Sequence, residues 1–214
     1  MKTVIFDLDG VLIDSEDFHC KAWINAYKHI GINIDEKYYY NKIQGIHGEH
    51  STKKVLADFK KEVDSDSLIS QKEEYAAKLL QSITPIFGSV DLVNLLYSRG
   101  YKLGLASSSS MNIVSMVLSK FKLDDKFMVV HGGQAVSNGK PSPEVYLKTA
   151  RLLEADADDC VVIEDSKSGI ISAKSAGMKC IGVLNGRNKR EDLMHADLVV
   201  DSISEIDEEI IENI

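Results

Sequence analysis

Two carboxylates stand close together near the start of the chain, in Val4-Ile5-Phe6-Asp7-Leu8-Asp9-Gly10. The apolar run ahead of them and the glycine behind are the pattern of a buried strand leaving its sheet at the carboxyl end. There an open α/β sheet binds its ligands. One carboxylate in that position can serve as a nucleophile, and a second beside it can give or take a proton. The same residues also fit a strand that ends in an ordinary polar turn.

A second acidic pair, Glu164-Asp165, follows Val161-Val162-Ile163 and precedes Ser166 and Gly169. If its strand neighbours the first, several carboxylates converge, and such a group repels itself unless a cation neutralises it. Oxygen ligands with room for water and a phosphate suit Mg²⁺. Taken alone, Glu164-Asp165-Ser166 also reads as a helix N-terminal cap.

Two further features could hold an anion. Ser107-Ser108-Ser109-Ser110 closes the run Leu103 to Ala106 and enters a helical pattern at Met111, where hydroxyls and free N–H groups bind anions or simply cap the helix. Gly139-Lys140-Pro141-Ser142-Pro143 precedes a helical pattern from Glu144, and the prolines stiffen the approach. Lys140 in isolation reads as a solvated charge.

These features need a scaffold. Val4 to Phe6, Leu103 to Ala106, Met128 to Val130, Val161 to Ile163, Cys180 to Val183 and Leu198 to Val200 are short β-branched runs expected to be strands buried on both faces. Helical spacing separates them: Val90, Leu92, Val93, Leu95 and Leu96; Ile113, Val114, Val117 and Leu118; Val145, Tyr146, Leu147, Ala150 and Leu153. The alternation predicts an α/β fold, a Rossmann-like parallel sheet with helices on both faces. From Glu16 to Ser82 the pattern is helical only and rich in aromatics, including Phe18, Trp23, Tyr27, Tyr38, Tyr39, Tyr40, Phe59 and Tyr75. That stretch is too long for a loop and predicts a small helical cap domain at 16–82, inserted after the first strand of a core formed by 1–15 and 83–214.

Composition limits the setting. The chain has 214 residues, 44% hydrophobic and 27% charged, so it can fold around a full core. A net charge of -8 argues against nucleic acid as a partner, because phosphate backbones are bound by clustered Lys and Arg. Cys20, Cys160 and Cys180 lie far apart and in no metal-ligand spacing, which favours a reducing compartment. Neither a signal peptide nor a span of about 20 apolar residues is found, so the expectation is a cytoplasmic protein with no membrane or obligatory protein partner.

In this order, each after a strand, the four elements resemble the haloacid dehalogenase-like superfamily over nearly the whole chain. The resemblance implies that Asp7 takes up a phosphoryl group as an aspartyl phosphate and that Asp9 is the general acid and base. It further implies that Ser107, with Ser108 beside it, and Lys140 hold the phosphoryl oxygens. Mg²⁺ would be bound by Asp7, the backbone carbonyl of Asp9, and Asp165, with Glu164 as a ligand or its supporting neighbour.

The helical insertion resembles the cap of the β-phosphoglucomutase and small phosphatase branch, with His19, Gln44 and His47 as candidate cap residues facing substrate. The arginine with which that mutase grips a second phosphate falls on Gly48, which lowers the mutase reading. The expectation is therefore a Mg²⁺-dependent phosphatase acting on a small phosphorylated metabolite such as a sugar phosphate. A phosphomutase is the alternative, and a non-catalytic metabolite-binding protein is a minor one.

Overall fold

The β-branched runs become strands of one parallel sheet because the connections between them carry the chain back to the end of the sheet where the strands begin. The computed structural model describes residues 2–44, 48–186 and 188–214. Its strands are β1 (Thr3–Phe6), β2 (Lys102–Ala106), β3 (Val129–His131), β4 (Cys160–Glu164), β5 (Lys179–Val183) and β6 (Leu198–Val200). They form a six-stranded sheet in the order β3-β2-β1-β4-β5-β6. All neighbouring pairs are parallel.

The helices are α1 (Glu16–His29), α2 (Glu36–Lys42), α3 (Gly48–Asp58), α4 (Ser65–Leu79), α5 (Ser89–Ser98), α6 (Met111–Lys120), α7 (Glu144–Leu152), α8 (Lys167–Ser175) and α9 (Glu208–Asn213). Among the described residues none is long and apolar enough to cross a membrane.

The chain divides into two compact units. One ends at Asp14 and resumes at Thr84, and the other runs Ser15–Ile83. In the first, Ile5, Val162, Cys180 and Ala106 pack against Val145, Tyr146, Ile170 and Ala173 of α7 and α8. Removing a side chain such as Ile5 from so closed a core costs about 2–5 kcal/mol. Where the chain leaves and re-enters this unit, Ile86 N–H and the Ser89 hydroxyl both donate to the Leu12 carbonyl, at 2.9 and 3.0 Å.

The second unit holds α1 to α4 around Cys20, Trp23, Tyr27, Tyr39, Leu56 and Leu68. Trp23 stacks on Tyr27, one helical turn away, with ring centroids 5.3 Å apart.

Two expectations change. β3 and β6 are half-buried because they pair on one side only, at the two edges of the sheet, and Met128 lies outside β3 and is exposed. Leu147 and Leu95 are also exposed. On α7 the buried face is set by Val145, Tyr146, Thr149 and Ala150, and a residue two positions after Val145 points about 200° away from it.

Candidate active site

The register of the three central strands brings the acidic motifs to one level. Phe6 stands opposite both Leu105 and Ile163, so Asp7, Ala106 and Glu164 follow at the same height. Asp7 stays in the ladder, its N–H donating to the Ile163 carbonyl at 3.0 Å, and Ser107 N–H donates to the His131 carbonyl at 2.9 Å. The backbone thus fixes the two residues before any side chain is placed.

Beyond Asp7 the chain turns at once. Gly10 N–H donates to the Ile13 carbonyl at 2.7 Å, and Gly10 has φ 78°, a conformation that favours glycine. A Cβ on Gly10 would stand 1.9 Å from Asp165 Oδ2, so the glycine is also what lets the second acidic loop approach.

Lys140 is the centre of the polar network. Its Nζ lies 2.7 Å from Asp7 Oδ1, 2.7 Å from Glu164 Oε1 and 3.1 Å from the Ala106 carbonyl. Asp7, Glu164 and Lys140 are all nearly sealed from solvent. Burial pushes the Asp7 carboxyl up to about 7 against the pull of Lys140, and the charges of Glu164 and Asp9 add to the rise. Burial works against the charge on Lys140, yet Asp7 and Glu164 hold its ammonium above the ordinary lysine range. Burial also opposes the charge on Glu164, but Lys140 and bonds from Ser166 and Tyr146 hold it below the usual glutamate range.

Glu164 is saturated. Its Oε1 receives Lys140 and the Tyr146 hydroxyl, and its Oε2 receives Asp165 N–H, Ser166 N–H and the Ser166 hydroxyl, each at 3.0 Å. Ser166 also caps α8 by accepting from Gly169 N–H. Helix α8 begins so close to Glu164 that a Cβ on Gly169 would lie 1.7 Å from Oε1. One carboxylate oxygen each from Asp7, Glu164 and Asp165 nevertheless fall within 4.8 Å of one another, close enough to share an ion. For Glu164 to bind it directly, a present hydrogen bond must be released.

Asp9 is half-buried and accepts from the Ser109 hydroxyl at 2.7 Å and from the Ser107 hydroxyl at 3.4 Å. Ser108 is exposed, in the bend that follows β2. Of the cap residues, His19 is half-buried in α1 and Gln44 follows α2, its N–H bonded to the Tyr39 carbonyl, both in the second unit. His47 lies outside the described residues.

The sequence profile described as haloacid dehalogenase-like hydrolase matches residues 4–183, which contain Asp7, Ser107, Lys140 and Asp165. The chain belongs to that family. It is 33% identical to the β-phosphoglucomutase of Bacillus subtilis over 99% of this chain and 94% of that one. It is 32% identical to the phosphorylated carbohydrates phosphatase of Thermotoga maritima over 93% of each. Among solved structures, CbbY of Rhodobacter sphaeroides in complex with phosphate superposes with a TM-score of 0.88 at 26% identity, over 96% of each chain. This haloacid dehalogenase-like chain is a phosphoryl-transfer enzyme.

Sequence reasoning missed several members of the site of this haloacid dehalogenase-like hydrolase. Tyr146 reads as a core residue of α7, and its ring is indeed buried, but its hydroxyl reaches Glu164. Ser109 sits in a run where spacing of two from Ser107 could have singled it out. Asn185 and Asn188 follow β5 and carry no motif, yet both donate to the acidic loops.

Proposed function

We propose that this enzyme is a Mg²⁺-dependent phosphatase of small phosphorylated metabolites, sugar phosphates among them, with Asp7 as nucleophile. The reading is carried by one observation: Asp7 is buried at the end of β1, bound to Lys140 and within ion-sharing distance of Asp165, while Asp9 is held nearby by Ser107 and Ser109. An oxygen of Asp7 attacks the phosphorus of the monoester, the bond to the alkyl oxygen breaks, and protonated Asp9 gives its proton to that leaving oxygen. In the second half Asp9, now a carboxylate, takes a proton from water as the water oxygen attacks the aspartyl phosphate and frees Asp7.

Lys140 and Ser107, with Ser108 at the same loop, are positioned to bind the phosphoryl oxygens and stabilise the charge that builds on them. The donor set is all oxygen and mostly anionic, which fits Mg²⁺, with Asp7, Asp165 and the Asp9 carbonyl as holders and Glu164 supporting them. When bound, Mg²⁺ supplies the charge neutralisation that lets a carboxylate approach a phosphate. Residues 15–83 are proposed as the cap that selects the substrate, with His19, Gln44 and His47 as its candidate contacts. The buried free thiols Cys20, Cys160 and Cys180 support a reducing, cytoplasmic setting.

A phosphomutase is the second reading, favoured by similarity to the B. subtilis enzyme that matches the phosphatase similarity almost equally. Gly48, which opens α3, offers no side-chain donor for a second phosphate and weighs against it. Incubation with β-glucose 1-phosphate, Mg²⁺ and a trace of glucose 1,6-bisphosphate separates the two. Free phosphate supports the phosphatase, and efficient conversion to glucose 6-phosphate with little free phosphate overturns it.

A further inference from the structure

The loop after β5 lies on both acidic loops at once. Its first residues extend the sheet, with Leu184 N–H on the Val200 carbonyl and Asn185 N–H on the Asp201 carbonyl, each at 3.1 Å. From that fixed base the Asn185 amide donates to the Gly10 carbonyl at 2.6 Å. The Asn188 amide donates to the Asp165 carbonyl at 2.6 Å and to Asp165 Oδ2 at 3.2 Å. Asn185 has φ 46°, a left-handed conformation that asparagine tolerates better than most residues. Gly10 and Asp165 are themselves in contact, because the Gly10 Cα leaves no room for a side chain against that carboxylate. Gly10, Asp165, Asn185 and Asn188 therefore form one closed unit.

We propose that Asn185 and Asn188 are positioning residues that tie the Asp7–Gly10 loop to Asp165 and so set the relative placement of the groups that hold the divalent cation. Neither touches the reacting atoms. Asn188 orients the Asp165 carboxylate through one oxygen, and Asn185 holds the turn that follows Asp9. Groups of this kind restrict the rotation of a metal-binding carboxylate, and their loss typically costs about 10–100-fold in metal affinity or activity. The inference rests on the metal-assisted reading above.

The test is Mg²⁺ binding to metal-free protein by isothermal titration calorimetry, for wild type, Asn188→Ala and Asn185→Gly. Glycine at 185 accommodates the left-handed backbone while removing the side chain with its amide, so this variant is expected to fold even if Asn188→Ala does not. The expected result is a Kd for Mg²⁺ weakened about tenfold or more in each variant. In turnover the half-saturating Mg²⁺ should rise by the same factor, while KM for a phosphate monoester at saturating Mg²⁺ stays within about twofold of wild type. A folded Asn185→Gly protein with wild-type Mg²⁺ affinity overturns the inference and leaves the metal reading standing. A wild-type protein that binds no Mg²⁺ overturns both.

Discussion

The Tyr146 hydroxyl donates to Glu164 Oε1 at 2.8 Å, onto the same oxygen that receives Lys140. Burial, and the charge of Glu164 after it, holds the phenol far above its ordinary range, so Tyr146 remains a donor at any working pH. A helix-face aromatic thus reaches Asp7 in two steps, through Glu164 and Lys140.

Tyr146→Phe keeps the ring and withdraws that donor from a fully buried carboxylate. The expected loss of stability is about 1–3 kcal/mol, the range for a buried acceptor deprived of a partner. Urea denaturation of the two proteins under one set of conditions measures it. Turnover should fall as well, because Lys140 then has a differently placed Glu164 to share with Asp7.

Lys140→Met is more severe. It leaves Asp7 and Glu164 buried together without the cation between them, and breaking such a pair costs about 3–5 kcal/mol. Added Mg²⁺ should recover part of the lost stability by supplying charge to the same carboxylates. A thermal melt with and without the ion checks this.

Asp7→Asn retains size and removes the nucleophile. No turnover of any phosphate monoester is expected, with a circular dichroism spectrum like that of wild type. Covalent capture should fail too: no phosphorylated form should be trapped by rapid acid quenching, whereas wild type should yield one. Turnover by a folded Asp7→Asn protein would remove Asp7 from the mechanism.

The metal-free protein should respond to pH through Asp7. Burial raises its folded pKa from 3.8 to about 7, so its share of stability is fully present below the unfolded value and is lost as pH rises through 7. Glu164 acts oppositely, because its folded pKa is depressed: its contribution is present above the ordinary glutamate value and is lost in more acidic solution. Between pH 4 and 7 the contribution of Asp7 to metal-free stability therefore declines while that of Glu164 is retained. Mg²⁺ competes with the Asp7 proton, so its apparent Kd should rise about tenfold for each pH unit below 7. The melting shift on adding Mg²⁺ should then be larger at pH 8 than at pH 5, which differential scanning fluorimetry measures directly.

How far these residues could be read beforehand depended on what signals each one. The central strands were legible because β1, β2 and β4 are covered on both faces and so consist of unbroken apolar runs. The edge strands misled in degree, since β3 and β6 present one side to solvent. Asp7, Asp9 and Glu164-Asp165 were legible because an acid at the end of an apolar strand is conspicuous. Tyr146 was not, because a buried tyrosine follows the same helical period whether or not its hydroxyl has work to do. Asn185 and Asn188 carried no signal at all: their partners, Gly10 and Asp165, meet them only after the sheet has formed.

The position of β1 has a consequence for how the protein is made. Thr3 pairs with Lys102 on one side and with Cys160 on the other, so β1 leaves the ribosome before either neighbour and waits for both until β4 has followed. Until β4 emerges, Asp7 has neither Glu164 nor Asp165 beside it. By the proposed mechanism a chain that stops before β4 would lack two of the carboxylates that hold the cation, and shortening from the far end would take away the Asn185 and Asn188 loop before it reached them.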